Sequence, residues 1–521
     1  MKKISIQGIL AFCCLSLLCA CSGYLDVYTE NTIPTEKYWS SKEDVENVLY
    51  DGYYTLRNSV ESYLIPLGEY RAGCVYNTKG SALQQFNITT GTSTCKWSVF
   101  YQIIHDANLV LANAQSVRGS DDSYTEGEAN SHLCEAYWLR ALAYFYLVRN
   151  WGEVPIVTAP YETDRDNYYV AKSSENEVLA QIKSDLDAAI ALGAAKESFD
   201  TNWQTKGRAT IWAIYALKAD VCLWNHDYDE AINAADAILK SQSAATPRFM
   251  STANHSSWFS MFNPGNAEES IFELQWNKES SDGTLQQINN LPSLFYGLND
   301  KNGNASVRTL QYSETMADAF ASEYREILRY YSEDEYAVRT QYGGCGQIDQ
   351  EPNVVWKYVG GSTILETRTN DELDPNFIIY RVAEIMLIKA EALLMRNGGE
   401  SLEDNREALE LVNAIRLRTN LRDASAEETS LEDIIKAIYN ERIMELAGEG
   451  KAWYDFLRLG RYGTVGGTDF RSMMTDYVID YNKQASESTI RNTLGDKNKW
   501  YLPISDSEIS VNPLLVQNPS Y

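Results

Sequence analysis

The sequence predicts a mainly α-helical protein in which paired helices form a scaffold around an irregular region of loops and short strands. Three observations carry that expectation. Apolar residues recur at helical spacing from residue 97 to about 241, and again beyond about residue 380. Residues 242–375 break the pattern: Gly, Asn, Ser and aromatics are common there, and amphipathic helix is sparse. The chain has 521 residues, 44% of them hydrophobic, enough for a large interior and too many for one simple core.

The chain opens with Lys2 and Lys3, followed by an apolar run from Ile9 to Ala20. That run is short for a membrane span and suits the central segment of a signal peptide. It ends in Leu18-Cys19-Ala20-Cys21, then Ser22-Gly23. This ending resembles a bacterial lipobox. The resemblance implies cleavage before Cys21 and diacylation of that cysteine; the competing reading is an ordinary secreted protein with Cys21 free. No second apolar run approaches membrane-spanning length. After cleavage Cys21, Cys74, Cys95, Cys134, Cys222 and Cys345 remain, with no CxxC pair to suggest a zinc ribbon or dithiol redox site. Cys134 and Cys222 lie in apolar helical patterns and are expected as buried thiols. Cys74 and Cys95 flank a loop and either pair or stay free.

The formal charge is −27, and loss of residues 1–20, with two lysines and no acid, takes it to −29. That balance argues against nucleic acid, whose phosphates need clustered Lys and Arg. It also disfavours attraction to anionic lipid. The 35 tyrosines and 12 tryptophans suit a surface for ligands with flat apolar faces as well as a large core.

Residues 22–41 read as an extended tether, and Ser41 with Asp44 caps a first helix. Helices are expected over Trp97–Val117, Ser131–Arg149 and Glu175–Leu192, the last capped by Ser174. Arg208–Trp224 and Tyr228–Leu239 form a pair joined by Asn225-His226-Asp227. "DYDEAINAADAIL" looks like the second helix of a tetratricopeptide repeat, with small Ala where helices approach closely. A related pair follows in "RVAEIMLIKAEALLMRNGG" and "NREALELVNAIRLRT", with Ile379, Ala383, Met386, Ala390, Leu393 and Leu394 on one face. Between the pairs, "ESIFELQW" alternates like a strand. Helix returns at Leu431–Leu446.

Three stretches then resemble one family. "YRVAEIMLIKAEALL" (Tyr380–Leu394) is similar to a RAAEIYLLYAEA-type motif of the RagB/SusD family. "NERIMELAGEGKAWYDFLRLG" (Asn440–Gly460) resembles its ERxxELxxEGxRxxDLxR motif, with Lys451 in place of Arg. "LPISDSEISVNPLLVQNPSY" (Leu502–Tyr521) resembles its LPIPxxExxxNPxLxQNPGY ending, with Ser505 for Pro and Ser520 for Gly. "CSGYLD" and "WLRALAYFYLVRNWGEVPIV" match near the front. The resemblance implies a SusD-like fold and a division into signal peptide (1–20), N-terminal helical region (21–241), variable ligand-binding region (242–375) and C-terminal helical region (376–521). It implies a lipoprotein on the outer face of the Bacteroidetes outer membrane. Such a protein binds oligosaccharide or polysaccharide, or in some members peptide, and sits as a lid on a SusC-like TonB-dependent transporter. It implies no cofactor.

A sugar ring offers patches of C–H that an aromatic side chain can cover, while neighbouring amides and guanidinium groups meet its hydroxyls. The expected platform residues are therefore the loop aromatics Trp276, Phe295, Tyr296, Tyr312, Trp356 and Tyr358. Their polar companions are Asn277, Asn299, Asp300, Asn302 and Arg308, and a second segment runs from Glu69, Tyr70 and Arg71 to Asn77. Each aromatic has a competing core reading, and Trp97, Trp138, Trp151, Trp212 and Trp224 are assigned to core. Asp300, Asn302 and Asn304 alternate like calcium ligands, but the bidentate Glu of such a loop is missing. Glu441, Glu445 and Glu449 share a helix face and are expected to make ion pairs rather than an acid/base couple. With four histidines and no HExxH, GxSxG or P-loop, a binding protein is the expected class; a surface glycan-degrading enzyme is the alternative.

Overall fold

Ser41 starts the first helix, α1 (Lys42–Asn58), by donating its backbone N–H to Asp44 Oδ2 at 2.8 Å. The structure, a computed structural model, describes residues 38–161, 168–251, 258–276, 289–297, 307–328, 353–360, 367–368, 373–424 and 430–521. Cys21, Asn277, Asn299, Asp300, Asn302, Asn304 and Cys345 lie outside them.

Beyond α1 the chain makes two π-helical turns, Val60–Leu64 and Pro66–Tyr70, and enters strand β1 (Val75–Asn77). Helix α2 is Ser98–Arg118 and α3 is Glu126–Trp151. The latter begins five residues before the expected Ser131, because Thr125 and Glu128 form a capping box. From Trp138 to Trp151 every residue of α3 is buried, so its apolar pattern reads as a stripe plus the opposite face. Helix α4 (Glu175–Ala191) follows its Ser174 cap as expected. The expected Arg208–Trp224 helix is split: α5 (Asn202–Gly207) ends at an extended Arg208, and Thr210 caps α6 (Ile211–Trp224). Helix α7 (Tyr228–Leu239) has the predicted bounds and pairs with α6.

The region expected to be poor in helix nevertheless contains helices among its described residues. Strand β2 (Ser270–Leu274) precedes α8 (Leu291–Tyr296), β3 (Leu310–Tyr312), the four-turn helix α9 (Glu314–Leu328) and α10 (Trp356–Val359). Then come β4 (Phe377–Arg381), α11 (Val382–Arg396) and α12 (Leu402–Arg418), the second helix pair. Ile379 therefore belongs to a strand, not to the helix face first assigned to it. Helices α13 (Leu431–Glu445), α14 (Ala452–Arg461), α15 (Phe470–Tyr481), α16 (Glu487–Leu494) and α17 (Asp506–Val511) complete the chain. Buried apolar side chains from Val45 to Leu515 form one contiguous cluster.

Two antiparallel ribbons tie the irregular region to the scaffold. β1 pairs with β3, placing Val75 opposite Tyr312, Tyr76 opposite Gln311 and Asn77 opposite Leu310. β2 pairs with β4, and all five residues of each strand are buried. A closed set of charges sits beside the second ribbon. Arg381 reaches Glu445 at 2.5 Å, Glu449 at 3.0 Å and Glu269 at 3.2 Å. Arg418 reaches Glu269 at 2.5 Å and also pairs with Glu445. Lys357 reaches Glu449 at 2.6 Å. Three cations and three carboxylates thus neutralise one another out of water. The expected ion-paired role of Glu445 and Glu449 holds, and Glu441 pairs with Arg416 at 3.5 Å. Arg442 turns instead to Asp455 at 2.8 Å. Cys74, Cys95, Cys134 and Cys222 are all buried free thiols, so the optional Cys74–Cys95 bridge is absent. Burial pushes the Cys95 thiol up to about 12.

Candidate functional site

The β1–β3 ribbon brings the two expected ligand segments onto one face. Strand alternation sends Val75 and Tyr312 inward, both fully buried, and leaves Tyr76 and Gln311 half-buried at the rim. There the Gln311 amide donates to the Tyr76 hydroxyl. Asn77 sits at the end of the strand. Its backbone N–H donates to Gln84 Oε1 at 2.9 Å, and the Gln84 amide returns a bond to its carbonyl at 2.8 Å. The Asn77 side chain accepts from the Lys79 N–H at 2.9 Å, an Asx turn that fixes its direction. The ribbon extends one step further, with the Thr78 N–H donating to the Thr309 carbonyl at 2.8 Å. Thr309 in turn donates to the carbonyl of Leu294 in α8, at 2.8 Å. This chain of bonds sets Tyr296, half-buried at the end of α8, and the half-buried Arg308 on elements joined to Asn77.

Of the expected platform, Tyr296, Asn77 and Trp276 keep solvent-facing surface. Trp276 belongs to another neighbourhood. Its backbone N–H donates to Asn376 Oδ1 at 3.1 Å, and the Arg57 guanidinium lies 5.8 Å from its ring centroid. The other candidates are interior. Phe295 and Tyr358 stack at 5.6 Å, and Tyr358 stacks on Phe377 at 6.0 Å, an aromatic column inside the protein. The Tyr358 hydroxyl donates to the Gly448 carbonyl at 3.0 Å. Trp356 and Tyr312 are buried, the latter against Phe320 at 5.5 Å. These four side chains are core because α8, β3 and α10 pack down onto β4 and the Glu445–Glu449 turn, so none can meet a ligand as placed.

Tyr70 and Arg71 are likewise structural. Burial pushes the Tyr70 phenol up to about 12, and its partner is the Asn77 side chain. Arg71 donates to the Trp500 carbonyl at 2.9 Å and to Asn150 Oδ1 at 3.0 Å, with its guanidinium 4.1 Å from the Trp453 ring centroid. Burial pulls that guanidinium down to about 10. Glu69, pushed up to about 8 by burial, accepts from the Gly450 and Lys451 N–H groups at 2.8 and 3.2 Å. Gly68 allows this close seat: a Cβ there would lie 2.1 Å from the Gly450 carbonyl oxygen. The segment expected to touch ligand through Tyr70 and Arg71 instead anchors the rim that its last residue, Asn77, reaches.

Sequence reasoning missed Gln311 and left Tyr76 unnamed within its Glu69–Asn77 segment, because their signal was the period-2 alternation of a three-residue strand, too short to read. Among the described residues one Cys/Asp/Glu cluster, Cys222, Asp227 and Glu230, has metal-like spacing. Lys183 fills it, with Nζ 2.7 Å from Asp227 and 3.2 Å from Glu230. No described helix is long and apolar enough to cross a membrane.

The helix-pair scaffold, its motif carboxylates tied to cations, thus carries a rim of half-buried aromatic and amide groups. Two family models match: the SusD family over residues 354–521, and a family described as starch-binding associating with outer membrane over residues 24–223. The SusD-like protein P38 of Formosa agariphila is 27% identical over 89% of this chain and 93% of its own. A SusD superfamily protein from Bacteroides thetaiotaomicron shares the fold with a TM-score of 0.69 at 23% identity, covering 92% of this chain and 99% of its own. A laminarin-binding SusD-like protein matches with a TM-score of 0.64 at 20% identity, over 92% of this chain and all of its own. The chain belongs to the SusD-like family.

Proposed function

We propose that this chain captures oligosaccharide or polysaccharide at the outer face of the outer membrane and passes it to a SusC-like TonB-dependent transporter, held to the membrane by a diacylated Cys21. The observation that carries the binding half is the β1–β3 ribbon, which sets the half-buried Tyr76 opposite Gln311, with Asn77 at the strand end and Tyr296 on the helix hydrogen-bonded to Thr309. Tyr296 offers a surface for sugar C–H groups, and the amides of Asn77 and Gln311 offer donors and acceptors for hydroxyls. The rim belongs to the stretch between the two matched family regions, residues 224–353, and to the loop it pairs with. The laminarin-binding relative of like fold supports a glycan as the ligand class. The outer-membrane association in the second family's description supports the location. Affinity per sugar is modest, because each hydroxyl leaves water for its new partner, and many copies on one surface compensate.

Calorimetry of the chain against glycan and peptide panels tests the ligand class, with Tyr296→Ala and Asn77→Ala as probes. Glycan binding weakened about tenfold by Tyr296→Ala is expected. Binding of peptides alone would overturn the glycan reading. Co-purification of a TonB-dependent barrel with the tagged chain, lost when Cys21 is changed to Ala, is the expected result for the transporter and anchor. A chain that stays in the membrane as Cys21→Ala would sink the lipid-anchor part.

A further inference from the structure

We propose that a second sugar-binding cleft, separate from the β1–β3 rim, lies between α1, α5 and the end of β2. It rests on the glycan reading of the protein and adds to it a site with no residue in common with the rim.

The cleft holds about 340 Å³, within the range of small-ligand sites. Three aromatic side chains line it and stay open to water: Tyr50 is 41% exposed, Tyr54 53% and Trp203 56%. Tyr53, between Tyr50 and Tyr54 in sequence, lines the same cleft from deeper down, half-buried and stacking on Phe272 at 6.1 Å. Tyr50 and Tyr54, one helical turn apart, border that concavity together with a tryptophan from a different helix. Convergence of three exposed rings on one hollow is not what scattered surface hydrophobics produce.

The rings are held in place before any ligand arrives. The Arg208 guanidinium lies 5.3 Å from the Tyr50 centroid, donates to its hydroxyl at 3.3 Å, and is itself fixed by Glu135 at 2.6 and 3.0 Å. The Arg57 guanidinium lies 4.9 Å from the Tyr54 centroid and donates to the Gln275 carbonyl at 3.3 Å. A cation takes one region of each ring and leaves the rest of its surface to another partner. Trp203 rides on α5, which is pinned on both sides: Asn202 donates to the Asn266 carbonyl at 2.8 Å and Lys206 to the Ser270 carbonyl at 2.6 Å. Gly207 packs so closely on Gln275 that a Cβ would lie 2.6 Å from its Cγ. Gln204, which lines the cleft, accepts from Thr201 with Oε1 and is held by that capping box. Fixed aromatic faces with guanidinium and amide donors at their edges suit a pyranose, whose C–H face stacks while its rim hydroxyls accept. A bilayer contact would call for a convex surface and would meet repulsion between an anionic leaflet and a chain of net charge −27.

The test is ¹⁹F NMR of the full chain, labelled with 5-fluorotryptophan and kept in a non-glycosidic detergent. The Trp203 resonance is identified by its loss in Trp203→Phe. Maltohexaose, laminarihexaose, xylohexaose and mannohexaose are added separately, to about 10 mM. At least one is expected to shift the Trp203 signal saturably. Tyr54→Ala should weaken that titration about tenfold, and Tyr296→Ala should leave it unchanged. Both positions are solvent-facing, and an unaltered melting temperature confirms that neither variant is misfolded. A hexasaccharide that binds by calorimetry without moving Trp203 overturns this inference and leaves the rim reading standing. A Trp203 shift abolished by Tyr296→Ala overturns it too, since the two sites would then be one. Response to phosphatidylglycerol vesicles and to none of the sugars would assign the cleft to the membrane and overturn it. Silence in both readouts overturns the glycan reading and this inference with it.

Discussion

The charge cage around Arg381 and the β1–β3 rim are both polar, and both lie where the loop-rich region meets the helical scaffold. In the cage every cation faces carboxylates, and Arg381, Arg418, Glu269 and Glu445 expose no side-chain surface. In the rim the hydrogen bonds run mostly within one loop, and Tyr76, Asn77, Tyr296 and Gln311 keep part of their surface in water. A polar group that already has all its partners can fix a fold but can recognise nothing. A polar group with spare capacity and a solvated face can exchange water for ligand.

Breaking the cage should give the largest effect. Arg381→Met leaves three buried carboxylates facing two cations and is expected to destabilise by about 3–5 kcal/mol, read as a fall in melting temperature or loss of the folded protein. Next comes the aromatic column. Tyr358→Ala removes a buried, stacked ring and should cost about 3 kcal/mol of stability, whereas Tyr296→Ala should weaken glycan binding and leave thermal unfolding nearly unchanged. Equal losses of stability in the two tyrosine variants would erase the distinction between core and rim.

Asp106 in α2 offers an intermediate case, buried without a cation. Burial first, then the neighbouring Asp51, push its carboxyl up to about 7, while a 2.9 Å bond from Gln102 draws it down. The unfolded chain ionises this group from about pH 4, so the folded state loses stability as pH rises from there through 7 and gains nothing below. Asp106→Asn is therefore expected to stabilise at pH 8 by about 1–2 kcal/mol and to do little at pH 4; melting curves at the two pH values check the sign. The smallest effect belongs to the exposed Lys436–Glu432 pair on α13, at 2.6 Å. Glu432→Ala should change stability by less than about 0.5 kcal/mol.

Helices were legible where a cap or a tight turn met a one-sided apolar stripe, as at Ser174 and at Tyr228–Leu239. They were misread where burial is all-round, as in α3, or where an extended residue such as Arg208 interrupts an unbroken apolar pattern. The candidate site was legible as two segments and not as side chains. Composition marks 242–375 as aromatic and irregular, but whether a loop aromatic points in or out depends on distant partners. Phe377 and Gly448 decide it for Tyr358, Asn150 and Trp500 for Arg71. Trp203 and Tyr54 escaped notice because each sits in an ordinary helix, and only folding brings them to one hollow.

The cage also sets terms for exchanging parts between relatives. Glu269 and Lys357 come from the loop-rich region, while Arg381, Arg418, Glu445 and Glu449 come from the C-terminal region. A transplanted recognition segment must therefore bring one acid and one base to those two places, whatever its loops are shaped to hold. A graft that brings only one of the two leaves an unmatched charge buried in the cage, and the chimera fails as a fold before its specificity can be read.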